Sequence, residues 1–283
     1  MSKIHRRVFL LGAFLVAIVF GSTAQAVEFT ASITSLPNLK GKGGALAHVF
    51  PSIAKHITGN PTAGEEQKGQ VYITYSQLGD RKIQVLEPKT SRAMSYFGFS
   101  AALHDDLVVI GAPGGGKLRT GASFVYRNNG DLWEEEFVLE PSAGQARDEF
   151  GYAVTLRDQE AFVGTPSDDE MIRNGGAVYV FRRDANGYWQ EAGKLFPKKF
   201  KKVTGFGSSL QSLGKFLIVG AHEPGAYTES LSFVFELREG QWEEVEKFNT
   251  TESLIAFINK NIKKATEQAM NISNPHLAAA GQE

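Results

Sequence analysis

Residues 108–121, VVIGAPGGGKLRTG, set Gly111 five positions before the pair Gly116-Lys117, the spacing of a loop that cradles phosphate. In such a loop the lysine reaches phosphate, a following Ser or Thr hydroxyl holds magnesium, and a helix N-terminus completes the anion site. Here Leu118 stands where the hydroxyl must be, and the next residues, GASFVYR (121–127), alternate at period two as a strand does. Chemistry and context both exclude a nucleotide site. Among the other candidates, Asp105-Asp106 after His104 reads as a polar hairpin turn, because neighbouring carboxylates in a turn point apart. Ser167–Glu170 (SDDE) offers three carboxylates to a cation, but consecutive side chains alternate in direction, so a solvated loop is the expectation. His222-Glu223 interrupts a loop pattern kept elsewhere, yet no Ser or Cys stands in a nucleophile context to use it.

The elements that carry these residues recur. FGFSAALHDDLVVIGAP (97–113), FGYAVTLRDQEAFVGTP (150–166) and FGSSLQSLGKFLIVGAHEP (206–224) are three copies of one phrase. A weaker copy, GGALAHVFPSIAKHITGNP (43–61), precedes them and is followed by GQVYITY, where the others carry GASFVYR, GAVYVFR and LSFVFEL. The anchor glycines Gly44, Gly98, Gly151 and Gly207 are 54, 53 and 56 residues apart. The three tryptophans, Trp133, Trp189 and Trp242, fall 35, 38 and 35 residues after their anchors, a check independent of the phrase itself. Within the copy at Phe150, four strands are legible: YAVTLR, AFVGTP, GAVYVFRR and YWQEAGKLFP, the last two joined by DANG. RNNGD and REGQ supply the equivalent tight turns, where positive φ is needed. Four short strands per unit of about 50 residues predict the blades of a β-propeller.

These words resemble the FG-GAP repeats of the integrin alpha-subunit propeller and, most closely, of its bacterial extracytoplasmic relatives. The resemblance covers residues 43–248 and rests on Phe97-Gly98 with Gly111-Ala112-Pro113, Phe150-Gly151 with Gly164-Thr165-Pro166, and Phe206-Gly207 with Gly220-Ala221-His222. It implies an all-β propeller serving as a binding or adhesion module. Two departures stand out. The integrin version inserts calcium loops of the DxDxDG type between the Phe-Gly and Gly-Ala-Pro strands. HDD, RDQE or SLGK here is too short to supply the six to eight oxygens calcium takes, so neither metal nor cofactor is expected. The integrin propeller also has seven blades, whereas this chain has length for about four, closing alone or pairing two chains as a homodimer.

Beyond the repeats, Lys3, Arg6 and Arg7 precede an apolar run from Val8 to Phe20, and STAQA (22–26) ends in an Ala-x-Ala arrangement. Residues 1–26 thus read as a signal peptide, of the general secretory type rather than the twin-arginine type that RRVFL suggests, with export to the periplasm or the medium. Residues 27–42 form an N-terminal segment. The 283 residues hold no cysteine, so no disulfide framework is available. Loss of the three basic residues of the signal leaves 27 Lys and Arg against 31 Asp and Glu, which gives no general bias toward nucleic acid or anionic membrane. In residues 249–283 the period changes. Leu254, Ile255, Ile258, Ile262, Ala265 and Ala269 share one helical face, predicting an amphipathic helix packed on the propeller or else docking a partner or a membrane surface.

No convergent catalytic set emerges, so the expected function is binding of a protein or glycan at the cell envelope rather than catalysis. An extracytoplasmic hydrolase or lyase is the alternative. The loops after the Gly-Ala-Pro strand, GGGKLRTG (114–121), SDDEMIRNGG (167–176) and HEPGAYTES (222–230), differ completely while the framework repeats, and equivalent propeller loops emerge on one side. Lys117, Arg119, Arg173, His222 and Tyr227 are therefore the expected ligand contacts. KKFKK (198–202) reads either as a solvated blade connection with Phe200 tucked into a seam, or as a patch for anionic glycans, lipid headgroups or nucleic acid; nothing else in the sequence supports nucleic acid.

Overall fold

The computed structural model describes residues 28–29, 56–77, 80–90, 93–130, 132–200, 203–225 and 231–261. Each run of alternating apolar residues forms a strand, and the tight turns between runs return the chain antiparallel. The result is four sheets of four strands. The first holds β1 (Glu28–Phe29), β2 (His56–Asn60), β3 (Gln70–Gln77) and β4 (Asp80–Leu86). The second holds β5 (Ser100–His104), β6 (Leu107–Ala112), β7 (Ala122–Asn128) and β8 (Trp133–Leu139). The third holds β9 (Ala153–Arg157), β10 (Glu160–Thr165), β11 (Ala177–Arg183) and β12 (Trp189–Leu195), and the fourth β13 (Thr204–Leu213), β14 (Phe216–His222), β15 (Leu231–Arg238) and β16 (Gln241–Phe248). Every sheet is a meander in chain order, and β5, β9 and β13 stand side by side at the inner edge. The fold is an all-β propeller of four blades, followed by a helix α1 over residues 251–261. Residues 43–50, the expected first strand of the weak copy, lie outside the described residues; β1 pairs with β2 through Glu28–Thr58 and Phe29–Ile57.

The repeated words are the joints between blades. Each Phe of Phe-Gly is fully buried in the seam behind it, edge-on to two aromatic rings of its own blade's third strand. Phe97 meets Phe124 and Tyr126 at 5.3 and 6.1 Å, Phe150 meets Tyr179 and Phe181 at 5.4 and 5.9 Å, and Phe206 meets Phe233 and Phe235 at 5.3 and 6.0 Å. Edge-to-face pairs at these separations add about 0.5–1.5 kcal/mol each beyond the area they bury. The backbone N–H of the same residue ties to the loop of the preceding blade, Phe97 to Lys68 O at 3.0 Å, Phe150 to Thr120 O at 2.9 Å and Phe206 to Gly175 O at 3.0 Å. Gly151, which follows Phe150, has φ +92°, a conformation that glycine adopts without steric cost. The glycine of Gly-Ala-Pro is needed for a different reason. A Cβ at Gly111 would stand 1.9 Å from Gly151 O of the next blade, and one at Gly164 would stand 2.0 Å from Gly207 O.

A second joint is formed by a word the sequence analysis did not single out. Trp-x-Glu recurs as Trp133-Glu134-Glu135, Trp189-Gln190-Glu191 and Trp242-Glu243-Glu244. Each glutamate accepts the backbone N–H of the residue after the proline that leaves the preceding blade: Lys89 to Glu135 at 2.9 Å, Ser142 to Glu191 at 2.9 Å and Lys198 to Glu244 at 2.5 Å. The first seam carries an extra clasp, because the Gln84 side-chain amide donates to Trp133 O and accepts from Trp133 N, both at 2.8 Å.

Helix α1 finishes the array. Thr250 caps it, its hydroxyl accepting the Ser253 N–H at 3.3 Å. Leu254 and Ile258 are buried and Phe257 half-buried against Phe216, Ile218, Val234, Val245 and Phe248 of the fourth blade. On the second blade the corresponding row, Leu107, Val109 and Val125, packs on the third blade. The helix therefore covers the face on which a following blade would sit, as a polar-backed cap ends a stack of repeats. Its buried stripe differs in one residue from the expected one: Ile255 is exposed, and Phe257 takes its place, since 254, 257, 258 and 261 are one face at 3.6 residues per turn. Residues 262, 265 and 269 lie outside the described residues. At the other end of the array, Gln84 and Leu86 of β4 face the second blade, so strand alternation turns the exposed Ile83 and Val85 outward.

Candidate binding face

In a four-stranded meander the second-to-third-strand loop emerges at the same end as the connection to the next blade. Loops 114–121 and 167–176 thus share one end of the propeller with connections 140–152 and 196–203. Loops 114–121 and 167–176 and residues 198–200 of KKFKK, which the sequence sets against each other, consequently lie at one end of the propeller. A Cβ on Gly175 would lie 3.0 Å from the Phe200 ring, which packs against the 167–176 loop and stands 6.1 Å from Phe196.

Loops and connections are stitched together there. Arg119 adopts φ +57° and its carbonyl accepts the Arg147 N–H at 2.9 Å; Asn174, at φ +50°, accepts the Gly205 N–H at 2.9 Å; Glu66, at φ +57°, accepts the Met94 N–H at 2.7 Å. These non-glycine residues in the left-handed region are held by the contact to the next blade, which fixes the loop path and leaves the tips outward.

The tips carry cations beside apolar side chains. Lys117, Leu118 and Arg119 are all exposed, Leu118 by 71%, and Lys117 Nζ lies 3.6 Å from Glu140. On the next loop Met171, Ile172 and Arg173 are exposed, and Met94 is exposed on the first connection. The structure thus places Lys117, Arg119 and Arg173 at one end of the molecule, with no hydrogen bond or ion pair joining them among the described residues. His222 reaches the same end as the last residue of β14. It is half-buried over Gly205, with Nδ1 buried and without a partner among the described residues. Tyr227 lies outside the described residues.

Ser167–Glu170 departs from the solvated loop expected for it. Asp168 is buried and receives the Lys194 ammonium from β12 at 2.6 Å, as does Glu170 at 2.6 Å, while Lys194 also rides 4.5 Å from the Tyr179 ring centroid. Burial alone would push the Lys194 pKa down, but hydrogen bonds to Asp168 and Glu170 outweigh it and hold the ammonium above its ordinary range. Asp148, nearby and buried, is shifted up by its desolvation, against the pull of the Gln145 N–H that it accepts at 2.6 Å and with the neighbouring Asp168 adding to the rise. A lysine therefore fills the place a cation would take. The sequence signal was weak, because Lys194 and Asp168 are 26 residues apart and meet only through the strand pairing of Lys194 with Tyr179.

The remaining candidates are framework. Asp105 lies 3.7 Å from His104 Nε2, while Asp106 pairs with Arg127, so the two carboxylates diverge across the β5–β6 turn. The turns β5–β6, β9–β10 and β13–β14 are two residues each, with no calcium loop, and no cluster of three or more metal-ligating side chains occurs among the described residues. No helix of the described residues is long and apolar enough to cross a membrane.

The FG-GAP repeat family model matches residues 133–181, starting at Trp133 on the outer strand of the second blade and ending within β11 of the third. The sequence unit is thus displaced by one strand from the sheet. No curated protein matches the chain. Among solved structures it is similar to a protein from Lactobacillus plantarum known from a crystal structure, at 11% identity and a TM-score of 0.45, over 70% of this chain and 53% of that one. The chain spans about half the length of that protein. The family match shows an FG-GAP repeat at residues 133–181, and the seam contacts made by its motif words recur in the propeller blades on either side of it.

Proposed function

We propose that this protein is a binding module rather than an enzyme, and that it takes a protein partner at the cell envelope on the end formed by loops 114–121 and 167–176. One observation carries the reading: a framework repeated blade by blade holds loops that share no sequence, and their tips expose Leu118, Met171 and Ile172 among Lys117, Arg119 and Arg173. Exposed aliphatic side chains interleaved with cations suit an acidic protein surface with apolar contacts better than a glycan, which offers little for Leu118 or Ile172 to bury. Export through the signal at residues 1–26 would bring the module to that partner. Affinity capture from envelope extract tests the proposal. Wild-type protein retains a partner that Lys117→Ala, Arg119→Ala and Arg173→Ala together release, with unchanged melting. Retention by that variant overturns the assignment of the face. Turnover in a hydrolase or lyase screen that depends on His222 or Glu223 overturns the non-enzymatic reading.

A further inference from the structure

The seams between blades are built on one plan but differ in charge. At the first, a cavity of about 370 Å³ is lined by Glu87, Glu134, Glu135 and a single lysine, Lys89, which is itself bonded to Glu135. At the second, Lys194 is closed off by Asp168 and Glu170. At the third, a cavity of about 360 Å³ is lined by Lys198, Lys199, Lys247, Glu244 and Phe233.

Lys247 is the counterpart of Lys194. It pairs with Phe233 across β15 and β16 as Lys194 pairs with Tyr179 across β11 and β12, and its ammonium stands 5.4 Å from the Phe233 ring centroid. Among the described residues no acid stands to Lys247 as Asp168 and Glu170 stand to Lys194, and Lys198, Lys199 and Lys247 form no ion pair with any described residue. Glu244, the one carboxylate present, accepts the Lys198 N–H at 2.5 Å. Three lysines thus line one cavity with a single carboxylate.

We propose that this seam binds a small phosphate- or sulfate-bearing molecule. Lys198, Lys199 and Lys247 supply the charge, and the buried Phe233 ring is an apolar floor that holds Lys247 in place. A water occupies about 30 Å³ of liquid volume, so the cavity has room for the anion and for the group that carries it. The site is lined by none of Lys117, Arg119 and Arg173, although Lys198 and Lys199 lie at the same end of the propeller as the loop tips, and it does not rest on the loop-tip reading.

Isothermal titration of the folded chain with glucose 6-phosphate, glucose 6-sulfate, inorganic phosphate and glucose tests it. Both esters bind, glucose does not, and affinity falls about tenfold or more in Lys198→Gln with Lys247→Gln and declines with added salt. The variant with Lys117, Arg119 and Arg173 changed to Ala binds as wild type does. The inorganic arm tells a free anion from its ester: tighter binding of the esters shows that the carrier group is held as well. Absence of binding by all three anions, binding unchanged in the double variant, or loss in the loop-tip variant overturns the proposal. The glutamine substitutions keep most of each lysine stem, and an unchanged melting curve shows that the fold is intact.

Discussion

Lys194 Nζ stands 2.6 Å from Asp168 Oδ2, with side chains 13% and 3% exposed, and this pair anchors the 167–176 loop whose other end carries Met171, Ile172 and Arg173. Removing one partner of such a pair strands the other. Lys194→Met is therefore expected to lower the unfolding free energy by about 3–5 kcal/mol, measured by urea denaturation. Adding Asp168→Asn should recover a large part, because the uncompensated buried carboxylate is then gone.

The same pair sets a pH dependence. The folded-state pKa of Lys194 is raised, so its contribution to stability is complete below the unfolded value of 10.5 and is lost as pH rises through the folded value. Asp148 acts at the other extreme: its folded pKa is raised above 3.8, so it favours folding when protonated and costs stability as pH rises out of that window. Urea midpoints across both windows should fall on the alkaline side more steeply in wild type than in Lys194→Met. They should change less between pH 3.8 and neutrality in Asp148→Asn.

The glycines separate two requirements. Gly111→Ala forces a Cβ to 1.9 Å from Gly151 O across a seam, so the blades must part, and expression as folded protein should fail or melting fall steeply. Gly130→Ala, at φ +109° with nothing within 4 Å, meets only backbone strain, with an expected loss of about 1–2 kcal/mol. Thermal denaturation of the two variants makes the comparison.

Much of this was legible in the sequence. Phe-Gly, Gly-Ala-Pro and the tryptophan spacing recur because each makes the same contact at every seam, so packing writes a period into the chain. The Trp-x-Glu joint was equally periodic and went unread because a glutamate on a strand usually faces water; its partner is a backbone N–H, which leaves no mark in side-chain identity. The Lys194–Asp168 pair and the lysine-lined third seam were beyond reach for another reason. They depend on what one blade has and its neighbours lack, and single departures do not stand out from surface variation.

Helix α1 is expected to protect the end of the array. Leu254→Asp with Ile258→Asp places two carboxylates against Phe216, Ile218 and Val234, uncovering a blade face that the helix normally buries. Light scattering should show self-association of the variant at concentrations where wild type is unchanged. If the variant keeps the wild-type particle size and stability, the helix is no cap.

The proposed binding face is tested most directly with photoreactive phenylalanine at four exposed apolar positions. Positions 118 and 172 lie at the loop-tip end, and positions 132 and 188, in the β7–β8 and β11–β12 turns, lie at the opposite end of the same blades. Irradiation in envelope extract is expected to capture one partner from 118 and 172 and none from 132 and 188, with capture lost when Lys117, Arg119 and Arg173 are changed to Ala. Capture of that partner from 132 or 188 instead, or equally from both ends, would contradict the account.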